Sequence, residues 1–272
     1  MVEYQQKSRY NIEDLREIVR LLRSPGGCPW DKEQDHQSIR NDFLEEAYEA
    51  VEAIDLLDMT LMREELGDVL LQVVFHCVLA EEEKSFSFEE VCDEICKKLI
   101  VRHPHVFGDV RADDTDTVLK NWDAIKKETK GQETYADTLS SVAKSLPALT
   151  RAQKVGKRAS RAGMDFDNAE AAFDCVRAER SELQAAIAAG DQGMMEEEMG
   201  DLLFSCVNTA RHLGIDAEEA LTKATNKFIA RFADTEHLVA ADGKNMPDLS
   251  IDELDVYWAD AKEHVRHSST ES

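Results

Sequence analysis

Paired carboxylates are the residues with the clearest capacity for chemistry. Two acidic side chains stand three residues apart on each of two consecutive predicted helices, and the whole arrangement occurs twice in the chain. Residues three apart lie on one face of a helix, so each pair projects together. If the two helices pack as antiparallel neighbours, each half of the chain gathers four carboxylates in one place. The first set is Glu46, Glu49, Glu65 and Asp68, and the second is Glu179, Glu182, Glu198 and Asp201.

Such a cluster predicts a metal site. Desolvation and mutual repulsion both disfavour four charged carboxylates at one partly buried place, and a hard divalent cation offsets both effects. Because the motifs offer oxygen ligands and no His, they favour Mg²⁺, with Mn²⁺ as an alternative, over zinc or iron. The competing interpretation is a solvated acidic face. It is disfavoured because Glu46 borders the apolar stripe of its helix and Glu65 lies beside Val69.

Two further pairs of side chains recur with the carboxylates and suit a phosphorylated substrate. In each half, a Lys and an Arg stand four residues apart, and further along a Trp and a Lys do the same. Arg can bind phosphate through two hydrogen bonds, Lys acts as a point charge, and an indole beside a cation suits a base or sugar. Considered alone, each pair could also consist of ordinary surface residues, with the Trp packed into the core. The candidates are Lys98, Arg102, Trp122 and Lys126, and Lys227, Arg231, Trp258 and Lys262.

Glycine occupies an unusual place between the acids of the second helix in each half. Gly67 and Gly200 stand in mid-helix, where glycine costs about 1 kcal/mol relative to alanine. Close helix packing and access to the site are alternative reasons for them. His103 and His105 could form a metal pair, but Pro104 breaks the helix and no third ligand is near, so we interpret them as turn residues.

Helical periodicity runs through both halves, and 12 Gly and 5 Pro are too few for a turn-rich β protein. The segment EELGDVLLQVV at 64–74 matches EEMGDLLFSCV at 197–207, an offset of 133 residues, which indicates a tandem duplication. We predict an all-α chain with domains at 1–130 and 142–272 and a linker at 131–141. The predicted helices lie near residues 11–23, 36–57, 60–83, 87–101, 116–130, 142–162, 168–189, 194–213, 215–241 and 250–266.

Charge and composition exclude several classes of function. The 272 residues carry 56 Asp and Glu against 32 Lys and Arg, a formal net charge of −24 at pH 7. This charge repels a nucleic-acid polymer, so we expect none as a partner. No apolar stretch is long enough to span a membrane, and the N-terminus has no signal peptide. Six cysteines without a second pair to complete a zinc site indicate free thiols. We therefore expect a cytoplasmic protein.

These motifs resemble the MazG family of nucleoside triphosphate pyrophosphohydrolases, in its two-domain bacterial form. The family pattern is E-E-x-x-E followed by E-x-x-D on the next helix. The first half carries it in full, and the second half carries it except at its first position. CPWDKEQ at 28–34, RHPHVFG at 102–108 and LPALTRAQK at 146–154 are also similar to this family. The resemblance implies a tandem pair of MazG-like helical bundle domains, assembly as a homodimer, and Mg²⁺-dependent hydrolysis of a nucleoside triphosphate to the monophosphate and pyrophosphate, in house-cleaning of the nucleotide pool.

The resemblance also assigns roles to the candidate residues. The two sets of acids would bind the metal, and Glu179, Glu182 or Glu198 would accept a proton. Lys227 and Arg231 would stabilise charge on the phosphates. It favours the C-terminal unit for turnover, although Ala178 there replaces the first Glu of the motif. Two alternatives stay open: a metal-stabilised acidic scaffold or regulatory nucleotide-binding module without turnover, and a phosphoesterase that releases orthophosphate.

Overall fold

The computed structural model describes residues 4–108 and 134–268, and it describes side chains as far as residue 264. Every regular element in these residues is helical, which confirms the predicted all-α class. The chain forms two compact units, Met1–Lys126 and Lys127–Ser272. Among the described helices, no stretch combines the length and the apolarity that crossing a lipid bilayer requires.

The first unit is built around one long helical hairpin. A three-residue connection, in which Leu57 has a φ of 55°, joins the two longest helices. Asp58 begins the second of them, because its side chain accepts hydrogen bonds from the N–H groups of Thr60 and Leu61. The helices are α1 Ile12–Arg23, α2 Pro29–Glu33, α3 Arg40–Asp55, α4 Met59–Glu82, α5 Phe88–Arg102 and α6 Pro104–Phe107.

The core of the first unit lies where α1 and the turn before α3 meet the C-terminal half of α4. Val19, Ile39 and Val74 are at most 2% exposed there and pack with the apolar residues that follow on α4. This packing covers the end of α4 and leaves its first half, with the acids, near the surface. The carboxylates therefore stand on the open half of the α3–α4 hairpin.

The second unit repeats the hairpin. Gly190, with a φ of 68°, ends its first helix, and the side chain of Asp191 caps its second. The helices are α7 Tyr135–Ser140, α8 Ala148–Arg161, α9 Ala169–Ala189, α10 Gln192–His212, α11 Ala217–Ala241 and α12 Ile251–Ser268, with a 3₁₀ turn at Met246–Asp248 between the last two.

The structure differs from the prediction mainly at two helix starts and in the expected linker. The helix expected from residue 36 starts at Arg40, because the side chain of Asp35 caps the turn that holds Gln37 and Ser38 and not the helix. The helix expected from residue 142 starts at 148, after Pro147. Residues 135–140 of the expected linker form α7, which starts at a capping box. The short helices α2 and α6 were not predicted, and the predicted helix at 116–130 lies outside the described residues.

Candidate metal and nucleotide site

The hairpin of the first unit brings three glutamates together. Glu46 and Glu49 stand on α3, and Glu65 stands on α4. One oxygen of each lies within 4.8 Å of the others. Glu46 and Glu65 are half-buried and Glu49 is exposed, so the cluster sits at the edge of the packed hairpin.

The second unit reproduces this arrangement. Glu179 and Glu182 on α9 and Glu198 on α10 also have one oxygen each within 4.8 Å of the others, with the same pattern of burial. Here a thiol joins the cluster, because Sγ of Cys175 lies 3.5 Å from Oε1 of Glu179. The thiol stands one helical turn before Glu179 and is half-buried.

The fourth predicted acid of each set stands slightly apart. Asp68 and Asp201 do not belong to the two three-glutamate groups that the described residues form. Their charges still act on those groups. Burial, followed by repulsion from Asp68, raises the pKa of Glu46, and the charge of Asp201 contributes to the raised pKa of Glu198. Each unit thus has three close glutamates and one aspartate outside the group whose charge still acts on it.

Crowding of negative charge is the main electrostatic property of both clusters. Burial, then the Glu49 carboxylate, raises the pKa of Glu65, and burial, then Glu182, raises the pKa of Glu198. A divalent cation among the oxygens would reverse this effect. Octahedral Mg²⁺ holds its ligand oxygens about 3–4 Å apart, so the observed spacing fits it after small side-chain rotations.

The two predicted Lys–Arg pairs differ in exposure. Lys98 and Lys227 are exposed, Arg231 is half-buried, and Arg102 is only 9% exposed. The side chains of Lys227 and Arg231 make no hydrogen bond or ion pair with the described residues, and Nε of Arg231 is buried without a partner. Arg231 is therefore less accessible than Lys227, while its charge is still available to a ligand. No described contact joins this pair to the carboxylates.

The predicted Trp–Lys pair of the second unit is part of a larger aromatic group. Nζ of Lys262 lies 6.0 Å from the ring centroid of Trp258. The ring of Phe228 lies 5.2 Å from that of Trp258 and 6.3 Å from that of Phe232. Phe228 and Phe232 were not predicted, although they directly follow Lys227 and Arg231 at the same four-residue spacing. Trp122 and Lys126, the corresponding pair of the first unit, lie outside the described residues.

The remaining candidates are the histidines after α5 and the two mid-helix glycines. Nδ1 of His103 lies 2.7 Å from the carbonyl oxygen of Leu99 at the end of α5, in keeping with a turn residue. A Cβ added at Gly67 or Gly200 would meet no atom within 4 Å in the described structure. Close packing inside each unit is therefore not the reason for these glycines.

Comparisons with known proteins agree with the geometry of the site. The MazG nucleotide pyrophosphohydrolase domain matches residues 34–107 and 168–235, which carry both carboxylate clusters. The nucleoside triphosphate pyrophosphohydrolase/pyrophosphatase MazG of Thermotoga maritima is 43% identical over 92% of this chain and 95% of its own length. The nucleoside triphosphate pyrophosphohydrolase of Escherichia coli K12 is 44% identical over 92% of this chain and 97% of its own length. The chain belongs to the MazG family of nucleotide pyrophosphohydrolases.

Proposed function

We propose that the chain hydrolyses nucleoside triphosphates to the monophosphate and pyrophosphate, with Mg²⁺ or Mn²⁺ bound at the carboxylate cluster. One observation carries this proposal: three glutamate oxygens converge within 4.8 Å in each unit, inside the segments that match the family domain. The relatives named as nucleoside triphosphate pyrophosphohydrolases support the substrate class. The all-oxygen donor set supports a hard cation.

The second-unit cluster supplies the residues for the reaction. Glu179, Glu182 and Glu198 would hold the cation from two helices, and Asp201 would add negative charge from outside this group. A divalent cation at such a site neutralises phosphate charge and lowers the pKa of a bound water. A glutamate oxygen that is not committed to the cation can accept the proton of the attacking water. The thiol of Cys175 would keep Glu179 in position through its contact with Oε1.

Charged and aromatic side chains of α11 and α12 would bind the rest of the nucleotide. Lys227 and Arg231 have no competing ion pair in the described structure, so both charges can meet the phosphates. Arg231 offers a parallel pair of donors, and Lys227 a mobile charge. The exposed ring of Phe228 beside Trp258 and Lys262 suits a base or sugar.

We assign turnover to the C-terminal unit. Its cluster retains all three close glutamates despite Ala178. Its cations are also better placed to act, because Arg231 is half-buried whereas the corresponding Arg102 of the first unit is almost fully buried. A phosphate can reach Arg231 with less rearrangement than it would need to reach Arg102.

The oligomeric state and the cellular location are inferred from the exposed apolar surface and from the cysteines. Leu221 and Ile229 on α11 are each more than half exposed, and such apolar surface supports a homodimer. All six cysteines are free, although only Cys77 is buried, which supports the reducing cytoplasm as the location.

We propose domains at 1–130 and 142–272 joined by 131–141, and a house-cleaning role in the nucleotide pool.

A product assay tests the proposed reaction. The full chain is incubated with each of the eight common ribo- and deoxyribonucleoside triphosphates and Mg²⁺, and pyrophosphate and orthophosphate are measured separately. We expect pyrophosphate and the monophosphate in equal amounts, and no product in excess EDTA. Orthophosphate as the main product would indicate a phosphoesterase. A rise in melting temperature with Mg²⁺ without any turnover would indicate the scaffold or regulatory module.

A further inference from the structure

The charge of this acidic chain is reversed along α8. From Lys144 to Arg161 the sequence has six Lys and Arg and no Asp or Glu, in a chain with 56 acidic residues. Arg158 is held by the carbonyl oxygen of Thr138 and by the hydroxyl of Ser141. In contrast, the side chains of Lys144 and Arg151 make no ion pair or hydrogen bond with the described residues. Both are exposed, so neither of these positive charges is compensated within the described structure.

These two side chains line the same cavity. It has a volume of about 320 Å³ and lies within the second unit. Its walls include Leu146, Val155 and the ring of Phe204, which is 40% exposed. No carboxylate is found among the described residues that line it. The cavity therefore combines two cations with an aromatic face and apolar walls.

The beginning of α8 adds to the positive potential. Ala148, the first residue of the helix, also lines the cavity, and Pro147 before it gives no side-chain cap. The N-terminal end of a helix carries partial positive charge from its unpaired N–H groups. The carboxylate of Glu218 accepts hydrogen bonds from the N–H and the hydroxyl of Thr150, two residues after Ala148. This carboxylate already offsets part of the positive charge of the first turn, and the part left for a ligand lies on the side of Ala148.

We propose that this cavity binds a nucleoside monophosphate without a metal ion, the phosphate between Lys144 and Arg151 and the base against Phe204. A site with two cations and no carboxylate balances a phosphate dianion directly, whereas the glutamate clusters need a metal to hold phosphate. The volume falls within the range of small-molecule sites. The proposal rests on the proposed function only in that the monophosphate is a product of the reaction.

Calorimetric titration of the full chain in excess EDTA tests the proposal. Adenosine and uridine 5′-monophosphate should each bind at one site per chain. Lys144→Ala with Arg151→Ala removes two charge-assisted contacts and should weaken binding by about tenfold or more. Lys154→Ala with Lys157→Ala removes the same charge from α8 outside the cavity lining and should change binding much less. Absence of binding in EDTA, or equal losses in the two double variants, would overturn the proposal.

Two single variants separate this cavity from the glutamate cluster. Phe204→Leu should weaken binding of the monophosphates and leave binding of inorganic phosphate unchanged, and an equal effect on both would overturn the contact with the base. Glu198→Gln removes a candidate metal ligand and should leave binding in EDTA intact. If Glu198→Gln abolishes that binding, the monophosphate occupies the glutamate cluster and the proposal fails. Binding in EDTA together with no pyrophosphate release by the unaltered chain would contradict the proposed function alone.

Discussion

Sγ of Cys175 lies 3.5 Å from Oε1 of Glu179, one of the three glutamates that converge in the second unit. Burial, followed by the hydrogen bond to Glu179, raises the pKa of this thiol, so it stays protonated and can donate to the carboxylate. The position 133 residues earlier is Asp42, so the first unit has no thiol there. The contact gives the second cluster a donor that fixes one of its oxygens.

Removing this donor should weaken metal binding more than it affects folding. Cys175→Ser keeps a donor and should retain turnover. Cys175→Val removes the donor and should raise the Mg²⁺ concentration for half-maximal activity by about two- to tenfold, the range for one hydrogen bond. Cys206→Val, an exposed cysteine on α10, is the matched control. Equal Mg²⁺ dependence in Cys175→Val and Cys206→Val would show that the contact has no positioning role.

Replacing the mid-helix glycine of the second cluster with alanine should raise the stability of the fold and lower the activity. Gly200→Ala meets no atom within 4 Å and should stabilise α10 by about 1 kcal/mol through helix propensity. Packing inside the unit does not explain this glycine, so access to the site is the remaining alternative, and under it the added methyl group should hinder substrate and lower kcat/KM. Gly67→Ala should give the same stability gain and little loss of activity, since we assign turnover to the second unit. A more stable Gly200→Ala variant with full activity would refute a role in access.

The cations of α11 should bind the triphosphate. Lys227→Ala and Arg231→Ala each remove a charge that has no partner in the described structure, so each should lower kcat/KM by about tenfold or more. Lys223→Ala, one turn earlier, removes a charge that is already paired with Glu219 and serves as the control. Kinetics indistinguishable from this control across all eight nucleotides would show that the pair belongs to the ordinary surface.

An ion pair at the far end of α10 should make stability depend on pH. The side chain of Arg211, followed in effect by that of His212, holds the pKa of Asp165 well below its usual range. A carboxyl whose pKa is lower in the folded state stabilises the fold above its unfolded pKa of about 4, and this contribution is lost as the pH falls through the folded pKa. Asp165→Asn should therefore lower the melting temperature at pH 7, and the difference should shrink below about pH 4. A difference independent of pH would contradict the ion-pair explanation.

The sequence predicted what depends on local periodicity and missed what depends on tertiary contacts. Spacing was enough to predict the hairpins and the convergence of Glu46, Glu49 and Glu65. It did not predict that Asp68 lies outside this group, because the distance depends on how the two helices cross. An Asp before a helix can cap either the helix or the preceding turn, and Asp35 caps the turn. The burial of Arg231 likewise depends on its packing, which its own helix does not determine.

The central claim is that the glutamate cluster of the second unit performs the hydrolysis, and one pair of variants tests it most directly. Glu198→Gln replaces an anionic metal ligand with an amide of the same size, and Glu65→Gln makes the matched change in the first unit. Pyrophosphate release is measured for both with Mg²⁺, alongside melting curves. We predict that Glu198→Gln abolishes pyrophosphate release with an unchanged melting curve, while Glu65→Gln retains most of it. Full activity of Glu198→Gln together with loss of activity in Glu65→Gln would contradict the account and assign turnover to the first unit.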